Sequence, residues 1–92
     1  MEIHVRIYSM KEMRIDQIVH LVSIAQKYSC DIFLCKNDRK TNCKGLLGTV
    51  MFFLSNQKSD FCISAIGPDS RVAARELINL FSGIKEIEVL KK

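Results

Sequence analysis

Hydrophobic and polar positions alternate strictly at the start of the chain. Ile3, Val5 and Ile7 fall on one side of residues 2 to 8, and Glu2, His4 and Arg6 on the other. A period of two predicts a half-buried strand. The period then changes: Ile15, Ile18, Val19, Val22, Ala25 and Gln26 follow helical spacing, and Leu21, Ile24 and Tyr28 widen the stripe. This predicts a helix from Met13 to Lys27, with the Lys27 charge favourably placed at its C-terminal end. Cys30 to Lys36 reads as a second strand, Ile32 and Leu34 on one face and Phe33 on the other. Asn37-Asp38-Arg39 is turn chemistry, so Arg39 to Cys43 is expected to return antiparallel as a short third strand.

Leu46 to Leu54 is an apolar run long enough for two helical turns, and Ser55 to Ser59 is polar and loop-like. Asp60 to Ile66 alternates again, setting Phe61, Ile63 and Ala65 against Cys62 and Ser64. Gly67-Pro68-Asp69 is a helix start, with the proline suited to the first helical position and an acid in the first turn. Ala73, Leu77, Leu80 and Phe81 repeat at helical spacing, and Gly83 is a natural stop. Residues 84 to 92 alternate weakly and fit either a short extra strand or a loose tail. The order β-α-β-β-α-β-α predicts one α+β domain over residues 1–92, with 85–92 as a possible tail. Its expected architecture is an open-faced β-sandwich, a four-stranded antiparallel sheet with helices on one face. A ferredoxin-like arrangement has similar size, but the short apolar helix between the third and fourth strands favours the open-faced sandwich.

Composition narrows the functions. Ninety-two residues suit a single modest core. No apolar run approaches the roughly 20 residues that span a bilayer, and the alternating N-terminus is not the apolar stretch of a secretion signal. The net charge is +4, but the basic residues are scattered. The densest group, Lys36, Arg39, Lys40 and Lys44, is interleaved with Asn37, Asp38 and Asn42, and the phenylalanines sit inside apolar patterns. Nucleic-acid binding prefers a basic patch with aromatics free to stack, so neither nucleic acid nor membrane is an expected partner. Cys30, Cys35, Cys43 and Cys62 form no C-x-x-C pair and match no zinc spacing, and His4 and His20 complete no ligand motif. They read as reduced structural cysteines of a cytoplasmic protein, with no metal and no cofactor. No nucleophile elbow, catalytic carboxylate pair or phosphate loop appears, and Gly45 with Gly48 is too weak a signal for one. The expectation is not an enzyme.

Several segments resemble a known family. Cys30-Asp31-Ile32-Phe33-Leu34, Lys36-Asn37-Asp38-Arg39-Lys40 and Asn42-Cys43-Lys44-Gly45-Leu46-Leu47-Gly48 resemble the strand–turn–strand–helix segment of the HPr phosphocarriers and their catabolite-repression paralogue, Crh. HPr belongs to the bacterial sugar phosphotransferase system. Ile63-Ser64-Ala65-Ile66-Gly67-Pro68-Asp69 resembles that family's last strand and helix start, and the similarity covers roughly residues 2 to 84. The resemblance implies an acceptor histidine at the start of the first helix, within a Gly-Leu-His-x-Arg-Pro motif. There a neutral imidazole takes the phosphoryl group while the helix N-terminus and the arginine stabilise the anion. The matching residues here are Glu12, Met13, Arg14, Ile15, Asp16 and Gln17. Arg14 stands where the histidine would be and has no comparable nucleophilic nitrogen. Asp16 stands where the arginine would be and repels phosphate. The family's regulatory serine corresponds to Gly45, which has no hydroxyl.

The expectation from these losses is a non-catalytic protein-binding or regulatory relative. Its partners would be proteins of the phosphotransferase or carbon-control type. The expected contact residues are Arg14, Asp16, Lys44, Leu46, Leu47 and Val50, because a two-turn helix cannot bury every apolar residue of 46 to 54 on one side. Lys27 and Lys44 are expected to ring that patch with positive charge. Two alternatives stand beside this reading. One is an active carrier using His20 or His4. The other is a homodimer closed by the apolar patch or by exchange of residues 2 to 8, as the Crh resemblance suggests.

Overall fold

The computed structural model describes residues 2–8, 13–55 and 60–81, and the backbone of 84–90. The first alternating segment is β1 (Glu2–Tyr8), and the first helical stripe is α1 (Ile15–Gln26). β2 (Asp31–Lys36) and β3 (Arg39–Asn42) form a hairpin. Asn37 takes φ 56° in the two-residue turn between them, a conformation asparagine tolerates better than most residues. Then follow α2 (Leu46–Ser55), β4 (Phe61–Ile66), α3 (Ser70–Ile78) and β5 (Ile84–Leu90). Among the described residues no helix is long and apolar enough to cross a membrane.

The strands pair antiparallel in the order β3-β2-β4-β1-β5. The first four form the four-stranded sheet that the sequence predicts, with the three helices packed on one face. The weak alternation of the final segment is a strand: Ile84–Leu90 pairs along the whole of β1. As a result β1 lies inside the sheet, held by β4 on one side and by β5 on the other.

Alternation decides which side chains face the helices. Ile3, Val5 and Ile7 of β1, Ile32 and Leu34 of β2, and Ile63 and Ala65 of β4 are buried beneath Ile18, Leu21 and Ala25 of α1 and Ala73 and Leu77 of α3. Phe61 closes one end of this core. Its ring meets Phe52, Phe53 and Phe81 edge-on at centroid distances of 5.8, 5.3 and 5.5 Å. The other face of the sheet carries His4 and Arg6 of β1, Phe33 and Cys35 of β2, and Cys62 and Ser64 of β4, and among the described residues no helix lies over it.

Element ends differ from the sequence reading where local bonding intervenes. α1 begins at Ile15 rather than Met13 because Arg14 is the extended N-cap (φ −80°, ψ 158°). It ends before Lys27, the C-cap, whose N–H bonds the Ile24 carbonyl at 3.0 Å. Pro68 lies outside α3, whose N-cap is Asp69. Gly67 just before it has φ +142°, and a Cβ there would lie 3.0 Å from the Cys30 Cβ, so the position demands glycine. α3 ends at Ile78, and the expected stop at Gly83 lies outside the described residues.

Candidate functional site

The start of α1 is built around Arg14. Its carbonyl accepts the first helical bond from Ile18 N–H at 3.0 Å, and its own N–H donates to Gln17 Oε1 at 2.9 Å. The latter is one half of a capping box, and it places Gln17 where a proline could not supply the acceptor. The Arg14 side chain bends to Asp16: Nε lies 3.3 Å from Oδ1 and Nη2 donates to Oδ2 at 3.3 Å. Both side chains are 72% exposed, so water screens this pair heavily. The guanidinium offers donors only and no lone pair to receive a phosphoryl group.

α2 divides its apolar residues between two faces. Thr49, Phe52 and Phe53, spaced three and four apart, point into the core. Thr49 is fully buried and donates to the Gly45 carbonyl at 2.7 Å. Leu47, Met51 and Leu54 form the opposite stripe and stand in solvent, Leu47 with 77% of its surface exposed. Leu46 is also exposed, whereas Val50 is half-buried against the core. α1 contributes a second exposed pair, Ile15 and Val19, one turn apart. The two helices meet where α1 ends and α2 begins, through Gln26 Nε2 donating to the Lys44 carbonyl at 2.9 Å. Ile15 and Val19, which helical spacing counted in the apolar stripe of the first helix, are thus exposed rather than buried, and Met51 and Leu54 are apolar surface that was not among the expected contact residues. The signal was present, since the run from 46 to 54 is apolar all round, but period alone cannot say which stripe faces inward.

The two lysines expected around the patch are engaged within the fold. Lys44 Nζ donates to the Tyr28 carbonyl at 2.6 Å, beyond the C-terminal end of α1, and Lys27 Nζ pairs with Glu76 at 2.8 Å. Glu76 also accepts from the Tyr28 hydroxyl; these donors hold its carboxyl below the usual range, Lys27 most of all. Gly45 has room for a side chain, since a Cβ there would meet only the Asn42 carbonyl oxygen at 3.6 Å. His4 lies on the uncovered sheet face, its Nδ1 2.7 Å from Ser64 Oγ, and His20 is exposed on α1, well inside the helix. No cluster of His, Cys, Asp and Glu among the described residues could hold a metal ion.

The sequence profile of the HPr component phosphorylation site of the phosphotransferase system matches residues 1–83. The chain belongs to the HPr family. HPr-C-His from Thermoanaerobacter tengcongensis superposes with a TM-score of 0.71 at 26% identity, covering 88% of this chain and 90% of that one. Phosphocarrier protein HPr from Bacillus anthracis gives 0.71 at 21% identity, over 89% and 96% of the two chains. Crh from Bacillus subtilis, described as a swapped dimer, gives 0.62 at 20% identity over 77% and 80%. No curated protein sequence matches the chain significantly. The family is one of phosphocarriers rather than catalytic enzymes, and the open-faced α+β sandwich is its fold. Arg14 and Asp16 are thus the residues with which this HPr-family chain occupies the start of its first helix.

Proposed function

We propose that this protein is a cytoplasmic, non-phosphorylated member of the HPr family that binds protein partners of the phosphotransferase or carbon-control type. The observation that carries this reading is the exposed apolar stripe Leu47, Met51 and Leu54, with Leu46, on a helix that packs against α1. Exposed apolar surface of this kind marks interaction sites in soluble proteins. Arg14 and Asp16 contribute a polar, charge-balanced rim at the start of α1 in place of an acceptor and its anion clamp. The chain then presents a docking face that neither receives nor passes on a phosphoryl group.

The test is incubation with phosphoenolpyruvate and the general phosphotransferase enzyme, with an HPr as control, for wild type, Arg14→His/Asp16→Arg and Gly45→Ser. Wild type is expected to take no label, while the double variant takes acid-labile label because the docking face is intact. Gly45→Ser is expected to become a substrate for an HPr kinase, since the position has room for the side chain. Labelled wild type would overturn the reading and direct the search to His20 and His4. An unlabelled double variant would mean that the docking face no longer fits the phosphotransferase enzyme.

Homodimerisation by exchange of residues 2 to 8 has less support than docking through the helices. β1 is paired on both edges, so exchange would break two ladders rather than one.

A further inference from the structure

The densest basic group of the sequence, Lys36, Arg39, Lys40 and Lys44, is taken apart by the fold. Lys44 is bonded to the Tyr28 carbonyl, and Lys40 lies over the Phe33 ring on the uncovered face, 4.9 Å from its centroid. Strand alternation sends the neighbours of Lys40, Arg39 and Thr41, to the helix side. Lys36 follows Ile32 and Leu34 at the same period of two and shares that side. Lys36 and Arg39 are direct cross-strand partners beside the turn. Like charges placed opposite one another on one face destabilise a strand pair. Asp60 answers only one of the two charges: Lys36 Nζ donates to its carbonyl at 2.8 Å and lies 3.3 Å from its Oδ1. Arg39 is exposed and has no ion pair among the described residues.

α2 supplies the opposite wall. Gly48, Met51, Phe52 and Ser55 recur at spacings of three and four and form one stripe toward the hairpin. With Lys36, Asn37, Arg39 and Thr41 they line a cleft of about 560 Å³, within the range of roughly 300–1,000 Å³ typical of small-molecule sites. Helix and strand approach closely at Gly48, where a Cβ would lie 3.4 Å from the Thr41 methyl. Glycine weakens a helix interior, and here its missing side chain keeps the cleft open at that end. The lining divides by chemistry. Buried Phe52 and exposed Met51 are apolar, Asn37, Thr41 and Ser55 are neutral hydrogen-bonding groups, and Lys36 and Arg39 are cations. Among the described residues no carboxylate lines the cleft.

We propose that this cleft is a binding site for a small organic phosphate monoester with an apolar body. The phosphate meets the Arg39 guanidinium, whose planar fork takes two oxygens of such a group at once. Its negative charge also offsets the Lys36–Arg39 repulsion that Asp60 leaves uncompensated. The body lies against Met51 and Phe52, and Asn37, Thr41 and Ser55 bond its polar substituents. Neither half suffices alone: a bare phosphate gains only an exposed arginine, and a neutral apolar molecule leaves the cations unanswered. Met51 also belongs to the docking stripe, but the cleft is complete within one chain, so its occupancy is measured without a partner protein.

The test is titration of isotope-labelled protein with phenyl phosphate, followed through the backbone amide shifts, with inorganic phosphate and benzyl alcohol as separate arms. Saturable shifts are expected along residues 36–41 and 48–55. Phenyl phosphate is expected to bind about tenfold more tightly than either control. Arg39→Gln is expected to weaken binding about tenfold, the worth of one charge-assisted contact. Met51→Glu, which sets a carboxylate on the rim, is expected to abolish it. Both side chains are exposed, so both variants are expected to melt with wild type. Arg75→Gln, at an exposed arginine of α3, is expected to bind as wild type does. Shifts that do not saturate, inorganic phosphate or benzyl alcohol bound as tightly as phenyl phosphate, or equal losses from Arg39→Gln and Arg75→Gln would each overturn the proposal.

Discussion

The carboxylate of Asp69 accepts from Ser29 N–H at 2.9 Å, Cys30 N–H at 2.9 Å and Ser29 Oγ at 3.2 Å, so the N-cap residue of α3 binds the α1–β2 loop rather than its own helix. Gly67 makes this approach possible, because its missing Cβ lets Cys30 come close. The Ser29 backbone donor, followed by the contributions of Cys30, holds the Asp69 carboxyl below its usual range. Its pKa is lower folded than unfolded, so its stabilising effect is fully present above the ordinary carboxylate pKa, near 4, and is lost as pH falls through the folded value. Asp69→Asn is expected to unfold at a lower urea concentration than wild type at neutral pH, with the two midpoints drawing together as the pH falls through the lowered folded pKa of Asp69. A gap that persists undiminished in acid would show that the charge of Asp69 is not what matters. Asp60, held low chiefly by Lys36, and Glu76, held low chiefly by Lys27, add to the same acid-side decline, so the Asn variant keeps part of it. Gly67-Pro68-Asp69 marks a helix start in the sequence. That the carboxylate serves another segment was not legible, because its partners lie about 40 residues away.

At the scale of the element, legibility followed how one-sided each segment is. β1 alternates because one face meets the core and the other meets water, and its limits could be read directly from Ile3, Val5 and Ile7. α2 could be recognised as a helix but not oriented, since its exposed stripe of Leu47, Met51 and Leu54 is as apolar as its buried one. The two stripes predict opposite mutational outcomes. Leu47→Asp changes a side chain 77% exposed and is expected to move the unfolding free energy by no more than about 0.5 kcal/mol while abolishing partner binding. Phe61→Ala removes the ring that touches Phe52, Phe53 and Phe81 and is expected to cost about 3–5 kcal/mol. Urea denaturation and partner titration on the same samples separate the two, and a destabilised Leu47→Asp would mean that this stripe is core rather than docking surface. The cross-strand pair of Cys35 with Cys62 was invisible in the sequence for a different reason. It depends on the β2–β4 register, and no local spacing encodes the pairing of strands that are distant in the chain.

At the scale of the whole molecule, β5 changes which strands form the edges of the sheet. β3, one edge, is four residues long and carries Arg39 and Lys40, a short charged edge of the kind that resists pairing with another chain. Without β5 the other edge would be β1, seven residues long, with its outward-facing N–H and C=O groups unpaired. β5 satisfies those groups along the full length of β1 and becomes the edge itself, with Lys85, Glu86 and Glu88 in its sequence. Ending the chain at residue 82 is therefore expected to do two things. It lowers the melting temperature by removing one ladder of β1, and it shifts sedimentation toward larger species than the intact chain forms at the same concentration. The second effect follows because β1 then needs to leave only β4 to exchange between copies, and its exposed edge can template a neighbour. Sedimentation velocity of both chains over a range of concentration decides the matter. If the shortened chain sediments and melts as the intact one does, β5 contributes neither to stability nor to closing the edge. If instead it melts lower but stays the same size, β5 supports β1 without guarding it, and the charged Arg6 on β1 is enough to keep that edge from pairing.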